Sequence, residues 1–228
     1  MAVRAGARPR PRRGWTRGAP VAALLLALVA GCGAPEYTYV TNSDDRTYVK
    51  VPSSWRQLDE RQLTTAMGFD APVSGQDDGL WVEGYDADAA PSADHLVGEH
   101  AEAPVAFVSV QQVPTEARGG LSLDWLRVYP VMLVSREMSG QEPMSAFSDL
   151  QVQSDQVLTP GDGLRGVHVV YRVRLADGPP QVIDQTAYLN DDASKVYMLL
   201  VRCSTECYDQ RQREISNVVS SFTVRESP

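Results

Sequence analysis

The residues able to do chemistry in this chain are few. There are three cysteines, Cys32, Cys203 and Cys207, and three histidines, His95, His100 and His168. A thiol can be acylated, join a disulfide, bind a soft metal or act as a nucleophile, and the surroundings decide which. Cys203 and Cys207 sit four apart where a β-type run gives way to a helical one. That spacing closes a small disulfide if the corner brings the Cα atoms within about 7 Å. A thiolate metal site would need further soft ligands close by, and the histidines are remote in sequence. His95 and His100 share a polar loop at a spacing that suits neither an i,i+4 helical metal pair nor one face of a strand. His168 stands mid-strand between Val167 and Val169. Each histidine is read as solvent-facing or hydrogen-bonded. Paired acids at Asp77-Asp78, Asp86-x-Asp88 and Asp191-Asp192 could in principle split a glycosidic bond, but all lie in turn-like stretches. The run from Asp86 to Asp94 lacks the glycine and terminal glutamate of a calcium loop. No Gly-x-Ser-x-Gly elbow or phosphate-cradling glycine loop occurs. No catalytic residue, metal ligand or cofactor site is assigned.

Cys32 is different because of what precedes it. Arg4, Arg8, Arg10, Arg12, Arg13 and Arg17 form a basic head, and Val21 to Ala30 is an apolar run too short for a permanent span. Val29-Ala30-Gly31 then sets small residues before the cysteine. The Val-Ala-Gly-Cys junction resembles the lipobox of bacterial lipoproteins. That resemblance implies that residues 1–31 are a signal peptide, and that Cys32 takes a diacylglyceryl group with palmitate-type acyl chains and becomes the first mature residue. The expected location is the extracytoplasmic face of the cell membrane, with the membrane as a partner through the lipid. Arg12-Arg13 followed by Trp15 and Arg17 also resembles a twin-arginine signal, so both export routes stay open.

The chain has 228 residues and a formal charge of −8. The leader holds basic residues and no acid, so its removal makes the remainder more acidic still. Such a surface repels phosphate backbones and anionic headgroups, which argues against nucleic acid as a partner and leaves attachment to the acyl chains. The arginines elsewhere are scattered among acids, as on a solvated face.

The elements that must position these residues follow from patterning. Residues 32–46, with Gly33-Ala34-Pro35, a Tyr37/Tyr39 alternation and Asn42-Ser43-Asp44-Asp45, read as a short tether. Thr47 to Val51 is a strand stopped by Pro52. Gln57 to Met67 is a short helix, Leu80 to Tyr85 and Val105 to Val113 are strands, and Asp86 to Pro104 is an acidic, alanine-rich connection with the character of a binding loop or a solvated one. Ser122 caps a short helix that ends at Pro130, and residues 131–148 are irregular. A meander follows, with strands at 150–158, 166–175, 181–189 and 195–202 and turns between them. Ser204 caps the clearest helix, whose stripe runs through Tyr208, Ile215, Val218, Val219 and Phe222. Phe222 and Val224 lead into a final edge strand. Trp55, Trp81 and Trp125 read as core or sheet-covering positions. The order gives an α+β domain, a single antiparallel sheet covered by helices.

Three patches carry a family likeness: Thr47-Tyr48-Val49-Lys50-Val51-Pro52-Ser53-Ser54-Trp55, Ser194-Lys195-Val196-Tyr197-Met198-Leu199-Leu200-Val201, and Ile215-Ser216-Asn217-Val218-Val219-Ser220-Ser221-Phe222-Thr223-Val224. With them the chain resembles the PsbP-like superfamily, in particular the LpqN-type lipoproteins of actinobacteria. The resemblance implies a PsbP-like α/β/α sandwich over residues 47–226 and accessory, assembly or interaction work rather than catalysis. The functional expectation is a lipid-anchored binding module whose partner is an envelope protein or cell-wall component. A hydrolase using loop carboxylates and a small-ligand or lipid carrier are the alternatives.

Overall fold

The computed structural model of the protein describes residues 35–67, 79–98, 100–129, 147–175 and 178–225. The leader, Cys32, Asp77-Asp78 and nearly all of the irregular stretch at 131–148 lie outside them. Strand β1 (Tyr37–Asn42) pairs along its whole length with β2 (Thr47–Pro52). The turn between them is built by the Asn42 side chain, whose Oδ1 accepts from the backbone N–H of Asp44 and of Asp45, each at 3.1 Å. Tyr37 to Asn42, read from the sequence as tether, therefore belongs to the domain. Tyr39 is 73% exposed whereas Val40 is buried, so the outward tyrosines hid the strand's inward face.

After Pro52 the chain turns at Trp55, whose buried indole N–H donates to Glu214 at 2.7 Å. It then continues through β3 (Arg56–Gln57), helix α1 (Glu60–Ala66), β4 (Leu80–Asp86), α2 (Asp94–Val97), β5 (Val105–Gln112) and α3 (Thr115–Arg118). Residues 123–129 form helix α4. The meander is β6 (Phe147–Gly161), β7 (Leu164–Leu175), β8 (Pro180–Leu189) and β9 (Lys195–Ser204), followed by α5 (Thr205–Val219) and β10 (Thr223–Val224).

The expectation of a single sheet needs correction. Among the described residues there are two antiparallel sheets, one of three strands in the order β1-β2-β10 and one of seven in the order β3-β4-β5-β9-β8-β7-β6. The physical reason is Pro52, which cannot donate to a ladder. It ends β2, and the next pairing, Arg56 with Asp86, begins a new sheet on β4. The small sheet is completed from the far end of the chain, where Thr223 pairs with Tyr48 and Val224 with Thr47. Pairing partners so distant leave no local trace in either strand.

The seven-stranded sheet is buried on both faces at its centre, and residue alternation sorts its side chains into two cores. On one face Val105 and Phe107 of β5, Val167 and Val169 of β7, Ile183 of β8 and Met198 and Leu200 of β9 meet Leu63, Met67, Leu96 and Leu126 from the helical side. Helix α4 is held there through two of its backbone carbonyls. The Gln185 amide donates to the carbonyls of Leu126 (3.2 Å) and Arg127 (2.8 Å), and the Tyr171 hydroxyl donates to the latter at 2.9 Å. On the other face Val108 and Val110 of β5 and Tyr197, Leu199 and Val201 of β9 meet Ile215 and Val218 of α5 and Val49 and Val51 of the small sheet. Each fully buried aliphatic side chain contributes about 1.5–3 kcal/mol.

The acidic connection after β4 is also unlike its sequence reading. Ala93, Leu96, Val97 and Ala101 are buried in it, and so is Asp86. The Asp86 carboxylate organises the loop by accepting from the N–H of Asp88 (2.8 Å) and of Ser92 (3.0 Å) and from His95 Nδ1 (2.7 Å).

Candidate functional site

One convergence of titratable groups lies on the α5 face of the long sheet. In the β7–β8 ladder His168 stands opposite Thr186 and Val170 opposite Asp184. His168, Asp184 and Thr186 therefore project from the same face. Asp184 is only 3% exposed, and an unpaired carboxylate there would be costly. Both its oxygens are engaged: Oδ1 with His168 Nε2 at 2.8 Å, and Oδ2 accepting from the Tyr208 hydroxyl of α5 at 2.8 Å. An ionised carboxylate only accepts, so the imidazole carries its proton on Nε2 and leaves Nδ1 as the second functional atom. The Asp184 hydrogen bond raises the His168 pKa above its ordinary value, with burial opposing and the Asp184 charge assisting. Burial, reinforced by the Asp184 charge, raises that of Tyr208.

Beside this network an open cleft of about 280 Å³ runs between the sheet and the end of α5. Its apolar wall is Leu158, Val219 and Phe222, and its polar wall adds the hydroxyl-bearing Thr186, Tyr188, Ser216 and Ser220 to His168 and Asp184. Tyr188 and Phe222 stack with ring centroids 5.9 Å apart. A carboxylate-oriented imidazole has the geometry of a general base. Among the described residues, however, no hydroxyl or thiol is hydrogen-bonded to Nδ1, as an activated nucleophile would be.

The sequence reading left His168 without a named partner. The signal was present: Asp184-Gln185-Thr186 is a polar interruption in an apolar central strand. In the observed ladder Arg174 pairs with Pro180, and counting outward from that pair brings Asp184 diagonally beside His168.

The other candidates are not brought together. His95 is committed to Asp86, and His100 is exposed. Asp88 caps the N–H of Ala90 (2.8 Å), while Asp192 accepts from the N–H of Ser194 (3.0 Å) and from Arg118 (3.3 Å). Among the described residues no group of three or more His, Cys, Asp or Glu side chains could hold a metal ion.

No protein-family model matches the chain, and no curated protein matches it significantly by sequence. Solved structures do. The cyanobacterial PsbP of a Synechocystis species superposes with a TM-score of 0.50 at 15% identity, over 85% of this chain and 95% of that one. This chain has a PsbP-like fold. LpqN of Mycobacterium tuberculosis, described as involved in cell envelope biogenesis, is similar at a TM-score of 0.42 and 12% identity, covering 83% of this chain and 91% of that one. The Ran-binding protein Mog1p of Saccharomyces cerevisiae gives 0.45 and 9%, covering 82% and 95%.

In this PsbP-like domain the strand-to-helix corner after β9 places Cys203 and Cys207 with Cα atoms 6.0 Å apart and sulfurs at disulfide distance, both buried. Ser204 between them caps α5, its hydroxyl accepting from the Cys207 N–H at 3.2 Å. A disulfide here is expected to appear as a 2 Da mass gain on reduction, the mass of two hydrogens restored to a cystine. Two thiols already alkylatable in the purified, unreduced protein would contradict it. Because the loop is so small, reduction is expected to cost less than the ~3 kcal/mol attached to a 15-residue loop.

The His168 network gives the PsbP-like domain a pH signature. A raised folded-state pKa means that the folded form holds the proton more tightly than the unfolded chain. The stabilisation is therefore fully present below the unfolded value near 6.5 and is lost as pH rises through the folded value. Denaturant midpoints across that window are expected to fall with rising pH in the wild type and to lose this component in His168→Gln. A His168→Gln protein with the wild-type pH profile would contradict the assignment.

Proposed function

We propose that the protein is a lipid-anchored, extracytoplasmic binding module of the bacterial cell envelope that works without chemical turnover. The observation that carries this reading is the closed hydrogen-bond network of His168, Asp184 and Tyr208, in which both carboxylate oxygens are satisfied by the protein itself. Such a network sets the shape and polarity of a cleft, and no nucleophile is poised on its imidazole among the described residues. The hydrolase alternative loses support because the described loop acids Asp86, Asp88 and Asp192 are spent on backbone N–H groups, His95 and Arg118. The address rests on the basic head, short apolar run and Val29-Ala30-Gly31-Cys32 junction of the leader. The cell-wall or envelope partner follows from that address and from an acidic composition that disfavours nucleic acid.

Fractionation of cells expressing the wild type and Cys32→Ala tests the anchor. Two or more acyl chains hold a protein stably to a bilayer, so the wild type is expected in the detergent-extractable membrane fraction. Cys32→Ala is expected in the medium or as an unprocessed precursor. A Cys32→Ala protein that is still acylated and membrane-bound would overturn the assignment.

A further inference from the structure

We propose that the cleft between β7–β8 and the last turns of α5 binds a single uncharged sugar ring. The inference rests on the binding-module reading and adds a ligand class to it.

Size comes first. A volume of about 280 Å³ stands at the bottom of the ~300–1,000 Å³ range of small-molecule sites. It is room enough for one compact ring.

Charge then narrows the chemistry. Among the described residues the only carboxylate lining the cleft is Asp184, and both its oxygens already accept from protein donors. An ammonium ligand would find no exposed carboxylate to pair with, because Asp184 is buried. Among the described residues no lysine or arginine lines the cleft, and an anion would also face the carbonyl end of α5, whose partial charge is negative. A neutral ligand meets neither penalty.

The unspent hydrogen-bonding groups decide among neutral ligands. Among the described residues the hydroxyls of Thr186, Ser216 and Ser220 have no protein hydrogen-bond partner, and neither has His168 Nδ1. Each hydroxyl both donates and accepts, so the complementary ligand presents several groups of the same kind at close spacing. Phe222, Leu158 and Val219 add apolar lining to the same cleft. A pyranose has this mixed character, with hydroxyls around its rim and a C–H face for the aromatic ring.

The test uses the full-length protein in a sugar-free detergent, with the His168 ring resonances followed by NMR. Methyl galactoside, methyl mannoside and N-acetylglucosamine are titrated, and inorganic phosphate and choline serve as charged probes. At least one sugar is expected to shift the His168 signals saturably with a millimolar Kd. Ser220→Phe places a bulky ring at an exposed helix-end position and is expected to weaken that binding about tenfold or more while leaving the folded spectrum intact. Saturable shifts from phosphate or choline with the sugars silent, no saturable shift from any sugar, or sugar binding unaffected by Ser220→Phe would each overturn the sugar assignment without touching the binding-module reading. Release of methanol from a methyl glycoside in the same spectra would instead overturn the binding-module reading itself.

Discussion

Arg202→Ala is expected to destabilise the domain by about 3–5 kcal/mol, from orphaned acceptors at about 1–3 kcal/mol each and lost packing. Arg202 is fully buried at the end of β9. Its Nη1 donates to the Leu96 carbonyl at 2.7 Å, its Nη2 to the Gly98 carbonyl at 2.6 Å, and its Nε reaches Gln181 Oε1 at 3.4 Å. The same Gln181 oxygen accepts from the Ala101 N–H at 3.0 Å. Burial pushes the guanidinium down to about 9, so it remains a cation, and a full donor, at neutral pH. Truncation strands two loop carbonyls and opens a cavity where the 96–101 segment is pinned to β8 and β9. Against the usual total of about 5–15 kcal/mol, such a loss removes much of the folded population. Arg202→Lys keeps the charge but not the planar fork, and is expected to fall between the two. Equilibrium denaturation measures all three proteins. An alanine variant within about 1 kcal/mol of the wild type, the net worth of one ordinary hydrogen bond, would contradict this role.

Deleting residues 87–103 is expected to abolish folding. The segment carries Ala93, Leu96, Val97 and Ala101, all buried, and a single buried Leu→Ala change already costs about 2–5 kcal/mol. The deletion also takes away the carbonyls that accept from Arg202 and the N–H groups that donate to Asp86, leaving a cation and a carboxylate buried without these partners. The expected outcome is an insoluble product or one without a cooperative unfolding transition. A soluble deletion variant that unfolds cooperatively would show that the connection is dispensable, as its acidic composition alone suggests.

That connection shows where sequence patterning stops. Its acids face outward and dominate the composition, whereas the residues that matter to the fold are a sparse set, Ala93, Leu96, Val97 and Ala101, too irregular in period to signal a buried element. The long meander was legible for the opposite reason. Strands such as Val196 to Val201 are nearly continuous in β-type residues, and Asn190-Asp191-Asp192 marks a turn. Helix α5 was legible through its Ser204 cap and the Ile215, Val218, Val219 stripe, all of which the structure contains. The split into two sheets was not, because β2 finds β10 at the far end of the chain and nothing local encodes that choice. The site lies between these extremes. His168 and Asp184 were each visible as polar residues in apolar strands, but their meeting depends on hairpin register, and Tyr208 joins them only once α5 is laid across the sheet.

The claim that this domain binds without turning its ligand over is tested most directly by incubating the purified protein with chromogenic glycosides and esters beside His168→Ala and Asp184→Asn. The expected result is no turnover above buffer for any of the three. Hydrolysis by the wild type that either substitution abolishes would contradict the binding reading and make the His168–Asp184 pair a catalytic one.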